Sequence, residues 1–138
     1  MEENFKHIPK ININNYKPIK ELGKGGFGAV YLVEEKKTKA KYAAKVNICT
    51  DDIKFTLREI DILSKVNFPT VVKFIGLSLT DFKGEKNPTI LLHFYPNGSL
   101  LNIRGMKNNT IKHIAMTGVA HGMMILHSLN IIHRDLKP

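Results

Sequence analysis

One cysteine in 138 residues, Cys49, rules out an internal disulfide, and a reducing, cytoplasmic compartment is the expectation. Placed just after a strand-like segment, that cysteine reads as a small packing residue. No apolar run reaches the ~18 residues that a membrane-spanning helix needs, so no membrane segment is expected. The opening residues Met1-Glu2-Glu3-Asn4-Phe5-Lys6 carry neither a charged leader nor an apolar signal core. No internal repeat or low-complexity tract appears. Acidic residues are scarce, 12 against 21 lysines and arginines, giving a net charge of +9. Yet Lys36, Lys37, Lys39 and Lys41 crowd into one hairpin-like turn and the other basic residues are scattered. There is no basic helix interleaved with aromatics and no Cys/His finger spacing, so no specific nucleic-acid binding is expected. Charge of this kind supports only nonspecific attraction.

What is present suffices for one domain with a sizeable core, at 43% apolar residues. Residues 1–14 read as a polar lead-in. Tyr16 to Leu22 and Ala29 to Val33 read as strands flanking a glycine turn. A charged turn from Glu34 to Ala40 leads to a third strand, Lys41 to Ile48, and turns this short imply antiparallel pairing. Thr50-Asp51-Asp52 offers oxygen caps for a helix over Ile53 to Val66, which Pro69 helps close. Val71 to Leu79 and Thr89 to Phe94 read as two further strands. Pro96-Asn97-Gly98-Ser99 is a turn with a short helical piece expected after it. Apolar residues at three- and four-residue steps from Ile111 to Leu126 predict one long helix.

The segment Gly23-Lys24-Gly25-Gly26-Phe27-Gly28-Ala29-Val30 carries the strongest local signal. Glycines at this spacing let a backbone hairpin lie against a polyphosphate where a side chain would collide. Glycine turns are common, so the weight comes from residues further along the chain. On the first helix, Phe55, Glu59, Ile62, Leu63 and Val66 fall on one stripe, whereas Lys54, Arg58, Asp61 and Lys65 point elsewhere. A carboxylate in an apolar stripe needs a cation, and Lys45, in the mostly apolar run Ala43-Ala44-Lys45-Val46, is the candidate. The alternative is that Glu59 lies at the edge of the stripe and reaches water while Lys45 snorkels. A dinucleotide-binding Rossmann unit fails on context, since residues after Gly28 alternate like a strand and no helix opens at the turn.

Taken with His133-Arg134-Asp135-Leu136-Lys137-Pro138 at the end, these motifs resemble a eukaryotic-type protein kinase domain over Tyr16 to Pro138. The resemblance implies an α+β fold: a small lobe of five antiparallel strands and one helix (15–92), a hinge (93–98) and the start of a helical large lobe (99–138), after a lead-in (1–14). It implies ATP as cofactor. Leu22 and Val30 would cover the adenine, with Ala43 lining its roof. Gly23, Lys24, Gly25, Gly26, Phe27 and Gly28 would form the phosphate loop, Phe27 at its tip. Leu92 would stand at the gate of the back pocket, while His93 and Tyr95 would offer backbone groups to the adenine edge. Lys45 would hold the α- and β-phosphates, positioned by Glu59. Asp135 would orient the attacking hydroxyl and Lys137 would neutralise the transferring phosphoryl group. His133 would pack under the loop, and Arg134 would pair with a phosphorylated activation segment. Lys137 is similar to serine/threonine kinases, implying protein serine and threonine hydroxyls as substrates. Asn97-Gly98-Ser99-Leu100 and Phe74-Ile75-Gly76 resemble the tyrosine-kinase-like group.

Departures matter as well. The pattern His-Arg-Asp-x-x-x-x-Asn needs an asparagine five positions after Asp135, and the family's Asp-Phe-Gly is missing. Both hold Mg2+ in the family, so the chain carries no metal ligands by this reading. Asp81-Phe82 lies upstream of Asp135 and precedes a lysine, so it does not serve. The expectation is a chain truncated within the motif and inactive by itself, with an unpartnered apolar face on its last helix. The alternative is a noncatalytic nucleotide-binding or docking module, disfavoured by the joint presence of Lys45, Glu59 and Asp135.

Overall fold

The structure, a computed structural model, describes residues 7–26, 28–48, 53–100, 108–133 and 136. The chain forms two compact units, Met1–Asn67 with Val72–Phe94, and Phe68–Val71 with Tyr95–Pro138.

The first unit is built on a five-stranded antiparallel sheet. Its strands are β1 (Tyr16–Gly25), β2 (Gly28–Glu35), β3 (Lys41–Asn47), β4 (Phe74–Ser78) and β5 (Thr89–His93), in the order β1-β2-β3-β5-β4. The expected α+β small lobe is thus observed. The β2–β3 hairpin closes through Lys39, the only described residue of the turn with positive φ (64°), and the amide of Glu35 donates to the Ala40 carbonyl. β1 is an edge strand whose residues after Tyr16 are exposed and include Lys17, Pro18, Lys20 and Lys24. Charge and proline on an edge discourage pairing with other chains.

Two apolar clusters cover the two sheet faces. On one, Ile13, Tyr16, Val33, Ala44 and Leu91 pack with Ile11, Tyr31, Tyr42, Ile75 and Phe82. On the other, Ile60 of helix α1 (Ile53–Lys65) meets Ile8, Leu77 and Ile90. The face of α1 that enters the core runs through Thr56, Ile60 and Leu63 rather than through Glu59 and Ile62. The expected stripe is therefore turned by about one residue, ~100° of helix azimuth. Glu59 stands on its flank.

The lead-in also differs from expectation. Ile8 is 4% and Ile13 2% exposed, so the segment before β1 belongs to the core. The amide of Ile11 donates to the Leu77 carbonyl at 2.9 Å and the amide of Leu77 to the Pro9 carbonyl at 2.8 Å, a short parallel pairing that covers the β4 edge. Gly76 permits it, since a Cβ there would meet the Ile11 side chain at 2.5 Å. Three isoleucines spaced by polar residues make too weak a period to be read as structure.

β4 begins at Phe74, three residues later than expected. Val71 instead closes a turn, its amide donating to the Phe68 carbonyl at 3.0 Å, and residues 68–71 join the second unit. There α2 (Asn109–Ser128) is capped by Asn108, whose Oδ1 accepts from the amides of Thr110 and Ile111. Thr70 Oγ1 lies 3.2 Å from His121 Nδ1, and a Cβ at Gly122 would meet the Thr70 carbonyl at 3.0 Å. Ile125 and Leu126 are buried, whereas Ile114, Met116 and Met124 are exposed. No helix among the described residues is long and apolar enough to cross a membrane.

Candidate nucleotide site

Register decides which candidates share a face, because directly paired residues in an antiparallel sheet project to the same side. Val30 pairs with Lys45 and Lys45 with Ile90, while Leu32 pairs with Ala43 and Ala43 with Leu92. Positions two apart on one strand also share a side. Val30, Ala43, Lys45 and Leu92 therefore lie on the face that carries α1, since Ile90 on that face packs on Ile60. All four are half-buried. An apolar surface with one ammonium at its end is chemically matched to a flat base joined to phosphates.

Lys45 Nζ donates to both Glu59 oxygens, Oε1 at 2.6 Å and Oε2 at 2.7 Å. The side chains keep 29% and 37% of their accessibility, so the pair is reachable from solvent. It combines the two alternatives open at the level of sequence: Glu59 does lie at the stripe's edge, and it still takes Lys45. A second contact runs beside it. Asn47 Nδ2 donates to Thr56 Oγ1 at 3.0 Å, with both residues buried. Sequence reasoning passes over these residues, although Asn47 lies two positions after Lys45 and Thr56 three before Glu59.

The glycines of the β1–β2 turn divide into two kinds. Gly28 has φ +147°, and a Cβ there would sit 2.0 Å from the Val46 carbonyl oxygen, so the fold itself demands glycine. At Gly23, Gly25 and Gly26 a Cβ would meet nothing within 4 Å. Packing among the described residues does not explain those three glycines, and the open space beside them leaves room for a ligand to approach bare backbone. In this respect the residues present fit an ATP phosphate tail. Lys24 is exposed, and Leu22 is 41% exposed at the irregularity between Glu21 and Gly23.

His93 ends β5, and its amide donates to the Lys73 carbonyl at 2.9 Å. That narrows the expectation for His93, because its N–H is engaged within the sheet. Tyr95 belongs to the second unit, and its carbonyl accepts from the Gly98 amide at 3.3 Å. Phe27, Arg134, Asp135 and Lys137 lie outside the described residues, as do Cys49, the expected cap Thr50–Asp52 and the helical piece expected after Ser99 beyond Leu100. His133 is exposed.

Asp81-Phe82 has a structural use. Asp81 Oδ1 accepts from the amides of Lys83 and Glu85, and Oδ2 from Asn87 Nδ2, in the β4–β5 loop. Phe82 packs edge-on against Tyr31 at 6.2 Å. Burial of Asp81 works against its ionisation, but the bonds from Asn87, Lys83 and Glu85, with the Lys83 charge, outweigh it and hold the carboxyl below its ordinary range.

A five-stranded antiparallel sheet bearing one helix, with a strand lysine clasped by a helix glutamate, defines the small lobe of a kinase-type fold. Comparison with known sequences agrees: the protein kinase domain family matches residues 16–138. The chain is 33% identical over 144 residues to an Aurora kinase of Saccharomyces cerevisiae, covering 96% of this chain and 38% of that protein. It is 31% identical over 140 residues to MAP3K epsilon protein kinase 1 of Arabidopsis thaliana, covering 95% and 10%. To a probable myosin light chain kinase of Dictyostelium discoideum it is 35% identical over 130 residues, covering 91% and 40%. The chain belongs to the protein kinase family. It spans less than half the length of each of these relatives. Assignment to the tyrosine-kinase-like group rests on its motifs alone.

Proposed function

We propose that this chain is the ATP-binding part of a protein serine/threonine kinase, with residues 15–92 as the small lobe, 93–98 as the hinge and 99–138 as the start of the large lobe. The observation that carries the reading is the two-pronged Lys45–Glu59 contact on the sheet face shared with Val30, Ala43 and Leu92. ATP supplies an activated phosphoryl group, with Mg2+ neutralising its charge. Lys45 holds the α- and β-phosphates, and Glu59 fixes the ammonium in place. Gly23, Gly25 and Gly26 let the β1–β2 turn approach those phosphates, while Val30, Ala43 and Leu92 pack on the base. Asp135 orients the hydroxyl of a serine or threonine on a protein substrate, and Lys137 offsets charge on the group in flight.

This 138-residue polypeptide includes neither the asparagine five positions after Asp135 nor an Asp-Phe-Gly. Alone, it binds nucleotide weakly and turns it over at a negligible rate. Equilibrium binding of ATP to the chain and to Lys45→Met tests the reading. The expected result is weak binding that the substitution abolishes. Equal affinity in the two proteins would overturn it.

A further inference from the structure

The Lys45–Glu59 contact depends on how α1 is rotated and shifted along the sheet, and one contact on a half-buried flank cannot fix both. A rotation of the helix by ~100° would carry Glu59 off this face, and a shift by one residue would move it ~1.5 Å. The second contact lies where it can supply the missing constraint. Lys45 and Asn47 alternate onto the same face of β3, and Thr56 and Glu59 stand one turn apart on α1. The two bonds, Lys45 to Glu59 and Asn47 to Thr56, form successive rungs between the same pair of elements.

Asn47 is 6% and Thr56 7% exposed. Two apolar residues of similar size would fill this space without the cost of burying an amide, and among the described residues Asn47 Oδ1 has no partner. A polar pair kept under those conditions contributes direction rather than burial. An apolar contact tolerates sliding, whereas a hydrogen bond weakens steeply once its angle is lost. Asn47 also stands opposite Gly28 in the β2–β3 register, its Cα 3.1 Å from where a Gly28 Cβ would be. The end of β3 thus meets the glycine turn on one side and α1 on the other.

We propose that Asn47 and Thr56 are positioning residues: their buried hydrogen bond sets the rotation and axial position of α1 so that Glu59 meets Lys45. The consequence for nucleotide affinity rests on the function proposed above; the effect on Lys45 does not.

The test uses the full 138-residue chain and four variants, Thr56→Val, Thr56→Ser, Glu59→Gln and the Thr56→Val/Glu59→Gln pair. Valine keeps the shape of threonine and removes the hydroxyl, and serine keeps the hydroxyl. Two readouts are taken: the rate at which a water-soluble acetylating ester modifies Lys45, followed by mass spectrometry with Lys17 as internal reference, and ATP affinity. Thr56→Val and Glu59→Gln should each raise the Lys45 rate roughly threefold to tenfold, in the range expected for coupled neighbours. The double variant should match Glu59→Gln, and Thr56→Ser should match the wild type. General loosening of the fold would instead let the two effects multiply, and that result overturns the proposal. So does a wild-type Lys45 rate in Thr56→Val. Hydrogen exchange of the β3 and β5 amides identifies any variant that has lost its sheet, and Asn47→Ser then replaces it at the other end of the bond. If Lys45→Met leaves ATP affinity unchanged, the nucleotide reading fails while the acetylation series still decides the role of Asn47 and Thr56.

Discussion

Glu59 on α1 accepts two hydrogen bonds from Lys45 on β3, fourteen positions earlier in the chain, and neither side chain is deeply buried. Pairs this accessible are screened by solvent and contribute little to stability, in the range of ~0–1 kcal/mol. Lys45→Met and Glu59→Gln should therefore unfold within about 1 kcal/mol of the wild type in urea. Their nucleotide affinity should nonetheless fall clearly. A large loss of stability with unchanged affinity would mean that the pair is structural.

The glycines of the β1–β2 turn should separate by substitution. Gly28→Ala forces a Cβ against the Val46 carbonyl at a positive φ, and should destabilise by at least ~1–3 kcal/mol. Gly23→Ala and Gly25→Ala face open space, so stability should move by no more than ~0.5 kcal/mol. Those two should instead weaken ATP binding. Thermal melts with and without ATP distinguish the cases.

Truncating the core beneath α1 should be costly. Ile60 has no exposed surface and packs with Ile8, so Ile60→Ala should lose about 2–5 kcal/mol in chemical denaturation. Ile8→Ala should move stability the same way, although it precedes every strand. An Ile8→Ala protein as stable as the wild type would remove the segment before β1 from the core.

Acid should act through Asp81. Its folded-state carboxyl is held below the ordinary range, so the unfolded chain takes up the proton first as pH falls. The stabilisation is complete above the unfolded value near ~3.9 and is lost as pH drops through the lower folded one. Urea midpoints measured between neutral pH and about pH 2 should decline for the wild type below that point. Asp81→Ala should start lower and decline less.

Much of this is legible in the sequence, for identifiable reasons. Strand and helix types follow from periodicity and short turns, and the glycine turn from its spacing. Lys45 and Glu59 can be paired because each is a charge in an apolar run with one plausible partner. The buried face of α1 is misplaced by periodicity alone, because Thr56 packs like an apolar residue once its hydroxyl has accepted from Asn47, which shifts that face towards Ile60. Ile8 and Ile11 escape a local reading since their partner Leu77 lies more than sixty positions away. Val71 reads as part of β4 because an apolar pair, Val71-Val72, looks like a strand start whichever unit it joins.

The parallel pairing of Pro9 and Ile11 with Leu77 bears on how the chain is made. Leaving the ribosome ahead of the sheet, these residues have no seat until β4 has followed them out, several seconds later at ~5–20 residues per second. Ile8 waits, uncovered, through the synthesis of most of the sheet.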